Sequence, residues 1–415
     1  MIYKRQSAKK TALSSRHQCL TTKEARRERK LKRLLMLAAF ACQLCANSDE
    51  ESGQIEIFEA IAVKYFTSYY ALKPAKTRKI HISKRFDDFS ELDCWIRFRT
   101  RKRDLPRLLR ALKLDGQTFK ADNGAVFTGE EILMIGLHRY CTVGSYYVTM
   151  AQVFNLDYSM LSRAFAIFNE NVLANCKHLL IDNLAFWVPY LEDFAEKIRT
   201  KLSDYGVAYP PGTFRIAGFY DDTVLACARP GSGPNPDGTR KSNYIQMAFY
   251  NGWKKHHGTK YQTVEFPNGM CGDMYGPRSF KDNDLDLLSD SLLNNRFRDA
   301  QLGNNEQYAL YGDGIFPIDT HTISKYTGAL TANQIFENRA MSKIRVANEW
   351  DYGITGNLFP YVKYKYSMKL LKSKSTVNLY FIATIWRSAH CCMFEGLTAS
   401  YFYCAAPFLK DYFGV

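Results

Sequence analysis

The sequence has 415 residues, of which 46% are hydrophobic and 14% aromatic. This is enough apolar material for one large core or for two to three domains, and it excludes a globally disordered chain. The formal net charge of +15 favours a polyanionic partner, because a basic surface concentrates phosphate groups. The eleven cysteines are irregularly spaced, which is typical of reduced thiols in a cytosolic or nuclear protein.

Residues 1–55 are predicted to be a basic, flexible arm. Residues 1–33 hold twelve Lys or Arg against Glu24 and Glu28, so this segment carries about +10 of the net +15. Such an arm is typical of a solvated tail, of a nuclear-import signal or of a contact to the DNA backbone. Residues 34–46 form an apolar run that is too short to span a bilayer. We interpret the run as a short helix, with secretory targeting as the alternative, and we expect a nuclear protein, or a cytoplasmic one, with no membrane partner.

A mixed basic region is predicted at residues 56–125, followed by an all-α region at 126–205. Thr128 and Glu131 have the spacing of a capping box, and the apolar residues that follow them recur with helical periodicity. The first helix of the all-α region is therefore expected to start at this point.

A pair of short helices is predicted next. One covers Tyr147 to Phe154, and the other starts at Ser159 after a four-residue turn. Two helices joined in this way are typical of a helix-turn-helix, with Ser162 and Arg163 at the exposed start of the second helix as candidate DNA contacts. A plain helical bundle explains the same apolar positions equally well.

From residue 206 to 415 the sequence predicts an α/β domain. After Tyr209-Pro-Pro-Gly the helical periodicity ends, and the sequence consists of short aromatic and β-branched segments separated by Gly, Pro and Asn. The predicted elements are strands at 214–224, 243–250 and 261–266, a helix at 284–294, a strand at 308–313 and a helix from 331 to about 352. This order predicts an RNase H-like mixed sheet with flanking helices.

Acidic residues lie at informative places in this order. Asp221 is within or at the end of the first strand, Asp313 ends a later strand, and Glu349 lies on the last helix one turn from Arg345. Carboxylates from two neighbouring strands and a helix can converge on Mg²⁺ or Mn²⁺, hard cations that prefer oxygen ligands. Two such metals stabilise both the attacking and the leaving oxygen in phosphodiester cleavage.

Each acid also has an ordinary structural interpretation when it is taken alone. Asp222 fits a turn, Asp284 a helix N-cap and Asp313 an Asx turn, while Glu349 fits an ion pair with Arg345. It is their joint order that favours a nuclease.

Several linked motifs resemble the PIF/Harbinger transposases, which are DDE superfamily endonucleases, over roughly residues 125–415. The segments are Gly218-Phe-Tyr-Asp-Asp-Thr with Arg229-Pro, Tyr250-Asn-Gly-Trp-Lys-Lys-His-His, Tyr308 to Pro317, and Asn338-Arg-Ala-Met-Ser with Arg345 and Glu349. The sequence departs from the family pattern at four positions, with Asn283 in place of His, Asp222 in place of Gly, Phe316 in place of Tyr, and Gly356 where relatives often carry Lys.

The resemblance implies a set of functional residues. Metal binding would involve Asp221, Asp284, Asp313 and Glu349, and Arg345 would contact phosphate or orient Glu349. Candidates for contact with the DNA backbone are Lys254, Lys255, His256 and His257, which otherwise form a solvated turn.

We therefore predict a metal-dependent DNA endonuclease or transposase that cuts at transposon ends and then transfers strands. The resemblance implies terminal inverted repeats as substrate and a Myb-like accessory protein. We also expect a homo-oligomer. The alternatives are a domesticated, non-catalytic DNA-binding protein, and a secreted or membrane-tethered hydrolase directed by residues 34–46.

Overall fold

A computed structural model describes residues 83–143, 146–231, 244–304, 307–370 and 376–415. The predicted basic arm, the apolar run at 34–46 and the start of the mixed basic region lie outside these ranges. In the described ranges, no helix is long and apolar enough to cross a membrane.

Helices dominate the first part of the described chain. They are α1 (Glu91–Phe98), α2 (Leu105–Ala111), α3 (Gly129–Tyr140), α4 (Tyr146–Phe154), α5 (Tyr158–Cys176), α6 (Leu184–Trp187) and α7 (Leu191–Ser203), with a small hairpin of β1 (Thr118–Lys120) and β2 (Val126–Thr128) before α3. Thr128 caps α3 by accepting a hydrogen bond from the Glu131 amide, which is one of the two bonds of the predicted capping box, while Glu131 Oε2 accepts from the Ser83 hydroxyl.

The two helices predicted around the turn at 155–158 are present as α4 and α5, and their identity as a helix-turn-helix stays a prediction. Asn155 adopts a left-handed conformation between them, and the Asp157 side chain caps α5 by accepting from two backbone amides. Helix α5 packs closely on α3, because a Cβ at Gly136 would meet the Phe168 ring. Recognition of DNA by this helix pair stays a prediction.

A six-stranded mixed sheet organises the second half. Its strands are β3 (Ile216–Ala226), β4 (Tyr250–Asn251), β5 (His256–Glu265), β6 (Cys271–Ser279), β7 (Ala309–Tyr311) and β8 (Thr322–Ile323). The order is β4-β5-β3-β7-β8, with β6 also paired to β5. Strand β5 runs antiparallel to β3, β4 and β6, whereas β7 runs parallel to β3 and β8 runs parallel to β7.

Helices flank this sheet and continue to the end of the chain. They are α8 (Tyr244–Ala248), α9 (Asp284–Ser291), α10 (Leu293–Ala300), α11 (Ala332–Leu358), α12 (Pro360–Lys363), α13 (Leu379–Met393), α14 (Leu397–Phe402) and α15 (Leu409–Phe413). The predicted mixed sheet with flanking helices is thereby confirmed.

Several predicted boundaries were wrong. The strand predicted at 243–250 is the short helix α8 followed by the two-residue strand β4. The helix predicted at 284–294 breaks at Leu292, whose left-handed backbone (φ 52°) separates α9 from α10. Strands β6 and β8 were not predicted, because neither contains a clear alternation of apolar and polar residues.

The core joins the helical part to the sheet. Phe266, which follows β5, packs against Trp187 of α6 and Phe194 of α7, with ring centroids 5.2 and 4.9 Å apart. Gly272 lies under the same Phe266 ring, where a Cβ would collide with it. This packing fixes the β5–β6 end of the sheet against α6 and α7. The domain boundaries inferred from the sequence stay a prediction.

Candidate active site

Strand β3 places two adjacent aspartates on opposite faces of the sheet. Because side chains alternate along a strand, Asp221 points to one face and Asp222 to the other. Their partners on β5 are Thr263 and Gln262. The face of Asp221 is covered by α11, whose Tyr352 hydroxyl lies 2.7 Å from the Thr263 hydroxyl.

Asp313 reaches Asp221 through the parallel pairing of β3 and β7. Tyr311, at the end of β7, pairs with Phe219, two residues before Asp221. The chain then passes through Gly312, which lies against the buried Tyr220 ring with no room for a side chain. Asp313 follows at once, and its side chain accepts a hydrogen bond of 2.7 Å from the Gly314 amide. The first turn after β7 therefore delivers the carboxylate beside Asp221.

Helix α11 completes the cluster with Arg345 and Glu349, one turn apart. Arg345 Nη1 lies 2.7 Å from Asp221 Oδ2, and Arg345 Nη2 lies 3.9 Å from both Asp313 Oδ1 and Glu349 Oε1. One guanidinium thus contacts all three carboxylates that strand and helix order had singled out. We call Asp221, Asp313, Arg345 and Glu349 the carboxylate cluster.

The carboxylate cluster is closed at its base and open at its rim. Side chains of Asp221 and Arg345 are 20% and 18% exposed, whereas those of Asp313 and Glu349 are 53% and 59% exposed. Burial raises the pKa of Asp221, and Arg345 acts against that rise. Solvent therefore reaches the cluster on the side of Asp313 and Glu349.

Asp284 belongs to a second group, on the opposite face. Lys260 Nζ donates to Asp284 Oδ1 and to the Asp282 carbonyl, at 2.6 Å each. Burial and the neighbouring Asp284 raise the pKa of Asp222 to about 8, and Gln262 Nε2 lies 3.5 Å from Asp222 Oδ1. The structure thus brings Asp221, Asp313 and Glu349 together and places Asp284 with Asp222. Metal binding by Asp284 stays a prediction.

Three carboxylates are the donor type that hard divalent cations prefer. Within the described residues, no three His, Cys, Asp or Glu side chains stand close enough to one another to hold a metal ion without rearrangement. In the carboxylate cluster the oxygens surround the Arg345 guanidinium instead. The donor chemistry of Asp221, Asp313 and Glu349 fits Mg²⁺ or Mn²⁺, and the guanidinium marks where their negative charge converges.

A buried ion-pair network anchors α11 from behind, and sequence reasoning missed it. Arg387 Nη2 lies 2.6 Å from Glu265 Oε2, and Arg387 Nη1 lies 3.6 Å from Asp351 Oδ1, with all three side chains at most 3% exposed. The Thr398 hydroxyl also donates to Asp351 Oδ1 at 2.9 Å. One signal was available, since Arg387 is the one Lys, Arg, Asp or Glu in the apolar helix α13.

Sequence reasoning also missed Tyr352, which contacts the strand of Asp221, and the association of Lys260 and Asp222 with Asp284 on the opposite face. The Tyr352 hydroxyl lies 3.4 Å from the Asp221 carbonyl oxygen, so it ties α11 to the strand that carries Asp221. Period-two alternation along β3 would have separated Asp222 from Asp221, and the same alternation on β5 would have placed Lys260 with Gln262.

The predicted DNA contacts occupy two regions. Lys254 and Lys255 are exposed in the turn between β4 and β5, while His256 and His257 are half-buried where β5 begins. The His257 ring packs on Tyr250, and burial lowers its pKa.

On α5, Ser162 is exposed, and Arg163 Nε lies 2.6 Å from Asp122 Oδ1 in an ion pair at the surface. Neither location tests DNA binding, so these contacts stay predictions.

Residues 221–393 match the family described as DDE superfamily endonuclease. The match begins at Asp221 and includes Asp284, Asp313, Arg345 and Glu349. No curated protein and no solved structure matches the chain. Residues 221–393 are therefore similar to a DDE superfamily endonuclease, which suggests a transposase-like nuclease.

Proposed function

We propose that this protein is a divalent-metal-dependent DNA endonuclease of the transposase type, with Asp221, Asp313 and Glu349 as its metal-binding carboxylates. One observation carries the proposal. Carboxylates from a strand, from the end of its parallel neighbour and from a helix all lie within 3.9 Å of the Arg345 guanidinium. The family match over residues 221–393 covers all of these residues.

The sheet topology supports an RNase H-like fold for this domain. Strands β6, β5 and β3 form an antiparallel series, and β7 and β8 are added in parallel on the far side of β3. This order places the end of β7 beside the middle of β3, and Asp313 beside Asp221. A helix returning over that face then supplies Glu349.

The residues of the carboxylate cluster have distinct tasks in this proposal. Metal bound by the three carboxylates would supply positive charge for the attacking water and for the leaving oxygen. Asp221, at the buried base, fixes the position of the site. Arg345 compensates the negative charge and has the fork of donors that suits a phosphate oxygen. Because Asp313 and Glu349 are half-exposed, the DNA backbone approaches from their side.

Finer features of the proposal rest on the motif resemblance. They are a PIF/Harbinger-type transposase, terminal inverted repeats as substrate, strand transfer by the released 3′-hydroxyl and a Myb-like accessory protein. We also propose a homo-oligomer, and nuclear localisation on the basis of the basic residues 1–33. The helix pair α4–α5 and the basic residues 1–33 would hold the DNA.

Plasmid nicking tests the proposal. The wild type is expected to convert supercoiled plasmid to open circles with Mn²⁺ or Mg²⁺ and to be inactive with EDTA. Asp221→Asn, Asp313→Asn and Glu349→Gln should each lower the rate at least about 1,000-fold, since they remove members of one catalytic unit. DNA binding in EDTA should survive these substitutions.

Asp284→Asn is the matched comparison for that experiment. Because Asp284 pairs with Lys260 on the opposite face, we expect its loss to lower nicking by no more than about tenfold, near the scale of one charge-assisted hydrogen bond. Mn²⁺ should also raise the thermal stability of the wild type and of Asp284→Asn, but not of Asp221→Asn. DNA binding without any cleavage by the wild type would instead support a domesticated, non-catalytic DNA-binding protein.

A further inference from the structure

Trp253 is the most exposed large hydrophobic side chain in the described part of the chain. It is 88% exposed, whereas Trp187 and Trp386 are buried and Trp95 is 44% exposed. Trp253 lies in the turn between β4 and β5, in the segment Tyr250–His257, which we call the β4–β5 hairpin. A fully exposed indole offers a flat apolar surface to a partner.

The backbone of the β4–β5 hairpin is held firmly behind this indole. Asn251 Oδ1 accepts hydrogen bonds of 3.0 Å from the amides of Trp253 and Lys254. Asn251 Nδ2 donates to the Phe280 carbonyl at 3.1 Å, which ties the turn to the segment after β6. Lys255 then takes a left-handed conformation that closes the turn. A surface ordered in advance loses little entropy when a partner binds.

The charges around Trp253 favour a polyanion. Lys254 and Lys255 follow it directly, both are exposed, and among the described residues no carboxylate forms an ion pair with either of them. The short helix before β4 adds the exposed side chains of Tyr244 and Met247, at 74% and 64%. Aromatic surface interleaved with unpaired cations is typical of proteins that bind single-stranded nucleic acid.

The position of the β4–β5 hairpin relates it to the carboxylate cluster. Thr263 of β5 lies opposite Asp221, and the strand runs from there back to His256 at the hairpin. Seven residues of extended strand span roughly 23 Å. At about 3.4 Å per nucleotide in a duplex, and with a longer step in an unpaired strand, DNA that follows this strand from a phosphate at the carboxylate cluster would reach the hairpin within roughly seven nucleotides.

We propose that Trp253 stacks on an unpaired base of the DNA strand, within roughly seven nucleotides of the cleaved bond, while Lys254 and Lys255 hold the adjoining phosphates. The inference rests on the proposed function, because it requires DNA at the carboxylate cluster. It assigns to the β4–β5 hairpin the capture of a strand that has left the duplex. Stacking tolerates any base, so this contact adds affinity rather than sequence preference.

Fluorescence anisotropy tests the proposal, with a labelled 30-nucleotide single strand of mixed sequence and its duplex, in EDTA. Trp253→Ala should weaken binding of the single strand about tenfold or more, because one base–aromatic stack is lost. Trp253→Phe should stay within a few-fold of the wild type. The matched control is Phe408→Ala, which removes an aromatic side chain that is 72% exposed elsewhere on the surface and should change nothing.

Salt dependence separates stacking from charge. Trp253→Ala should leave the slope of log affinity against log salt unchanged, whereas Lys254→Gln/Lys255→Gln should reduce it by about 1.4 for a single strand. Bound single strand should also quench tryptophan emission in the wild type but not in Trp253→Ala.

Two outcomes would overturn the stacking proposal, and only one of them would also overturn the proposed nuclease function. If the wild type binds and nicks DNA while Trp253→Ala keeps the affinity of Phe408→Ala, the stacking role is wrong and the nuclease stands. If the wild type neither binds nor nicks DNA, both proposals fall together.

Discussion

Arg345 Nη1 lies 2.7 Å from Asp221 Oδ2, so the arginine of α11 is the direct partner of the aspartate of β3. Asp221 is the most buried carboxylate of the carboxylate cluster, and burial disfavours its charged form. The guanidinium offsets that cost and thereby keeps a carboxylate available for metal. Arg345 is thus part of the electrostatics of the site as well as a candidate phosphate contact.

Replacement of Arg345 by Ala should slow plasmid nicking about 100-fold or more, the scale of losing one charged donor at a reacting group. The pKa of Asp221, already raised by burial, should rise further once the opposing charge is gone. A raised pKa means that the proton competes with metal to higher pH, so the acidic limb of the pH–rate profile should move upward. Arg345→Lys should restore part of the rate.

Arg339→Ala provides the control for that measurement, because Arg339 is exposed on the same helix and, six residues before Arg345, points to a different side of it. Its pH–rate profile should coincide with that of the wild type. An Arg345→Ala protein that is slower but has an unshifted acidic limb would show that Arg345 acts on the phosphate alone.

The sequence was most informative where local pattern and chain order determine position. The strand before Asp313 was predictable, although it ends at Tyr311 and not at Asp313, and so was the one-turn spacing of Arg345 and Glu349, because strand propensity and helical periodicity are local properties. The segment 243–250 was mistaken for a strand because its β-branched and aromatic residues satisfy a propensity that tertiary packing overrides. Helix α8 is held by contacts distant in sequence, such as Gln246 with Arg229 and the Pro230 carbonyl.

The separation of Asp284 from the carboxylate cluster illustrates a second limit. Order along the chain placed Asp284 between Asp221 and Asp313, and the resemblance grouped all four acids. Only the strand pairing shows that Lys260, Asp222 and Asp284 share the opposite face. Likewise, Arg387 of α13 pairs with Glu265 of β5 and with Asp351 of α11. These three elements are far apart in the sequence, so no local sequence pattern could have predicted the pairing.

The two glycines that flank Asp313 should respond differently to alanine. A Cβ at Gly312 would meet the buried rings of Tyr220 and Phe316, whereas a Cβ at Gly314 would meet the flexible end of Lys325. Gly312→Ala should therefore cost about 1–3 kcal/mol of unfolding free energy, the usual cost of overpacking. It should also shift Asp313 and lower nicking.

Urea unfolding and nicking rates of both variants check this prediction. Gly314→Ala is the internal control and should keep its stability to within about 0.5 kcal/mol, as for an ordinary surface change. Equal losses in the two variants would mean that the rings of Tyr220 and Phe316 make room as readily as a lysine side chain does.

Asp222 should make stability fall as pH rises. Its folded pKa is about 8, raised from 3.8 by burial and by Asp284. A group whose pKa is raised on folding contributes stability that is fully present below the unfolded value and lost as pH rises through the folded value. Asp222→Asn mimics the protonated form, so its melting temperature should exceed that of the wild type by more at pH 8 than at pH 5.

Thermal melts in EDTA at the two pH values measure this difference without metal. Asp115→Asn, at an exposed turn position, should show the same offset from the wild type at both. A constant offset for Asp222→Asn as well would show that Asp222 is already charged in the folded protein near neutral pH.

Removing only Arg387 from its buried network with Glu265 and Asp351 should lower the free energy of unfolding much more than neutralising all three residues together. Arg387→Met leaves Glu265 and Asp351 buried without their cation, so we expect a loss of about 3–5 kcal/mol in unfolding free energy. Adding Glu265→Gln and Asp351→Asn should recover a large part of it, because no uncompensated charge then remains. Arg298→Met, which breaks the exposed pair with Asp299, should cost less than about 1 kcal/mol. Urea unfolding of the wild type, Arg387→Met, the triple variant and Arg298→Met measures these differences. A triple variant no more stable than Arg387→Met would show that hydrogen-bond geometry, rather than charge, holds α11 in place.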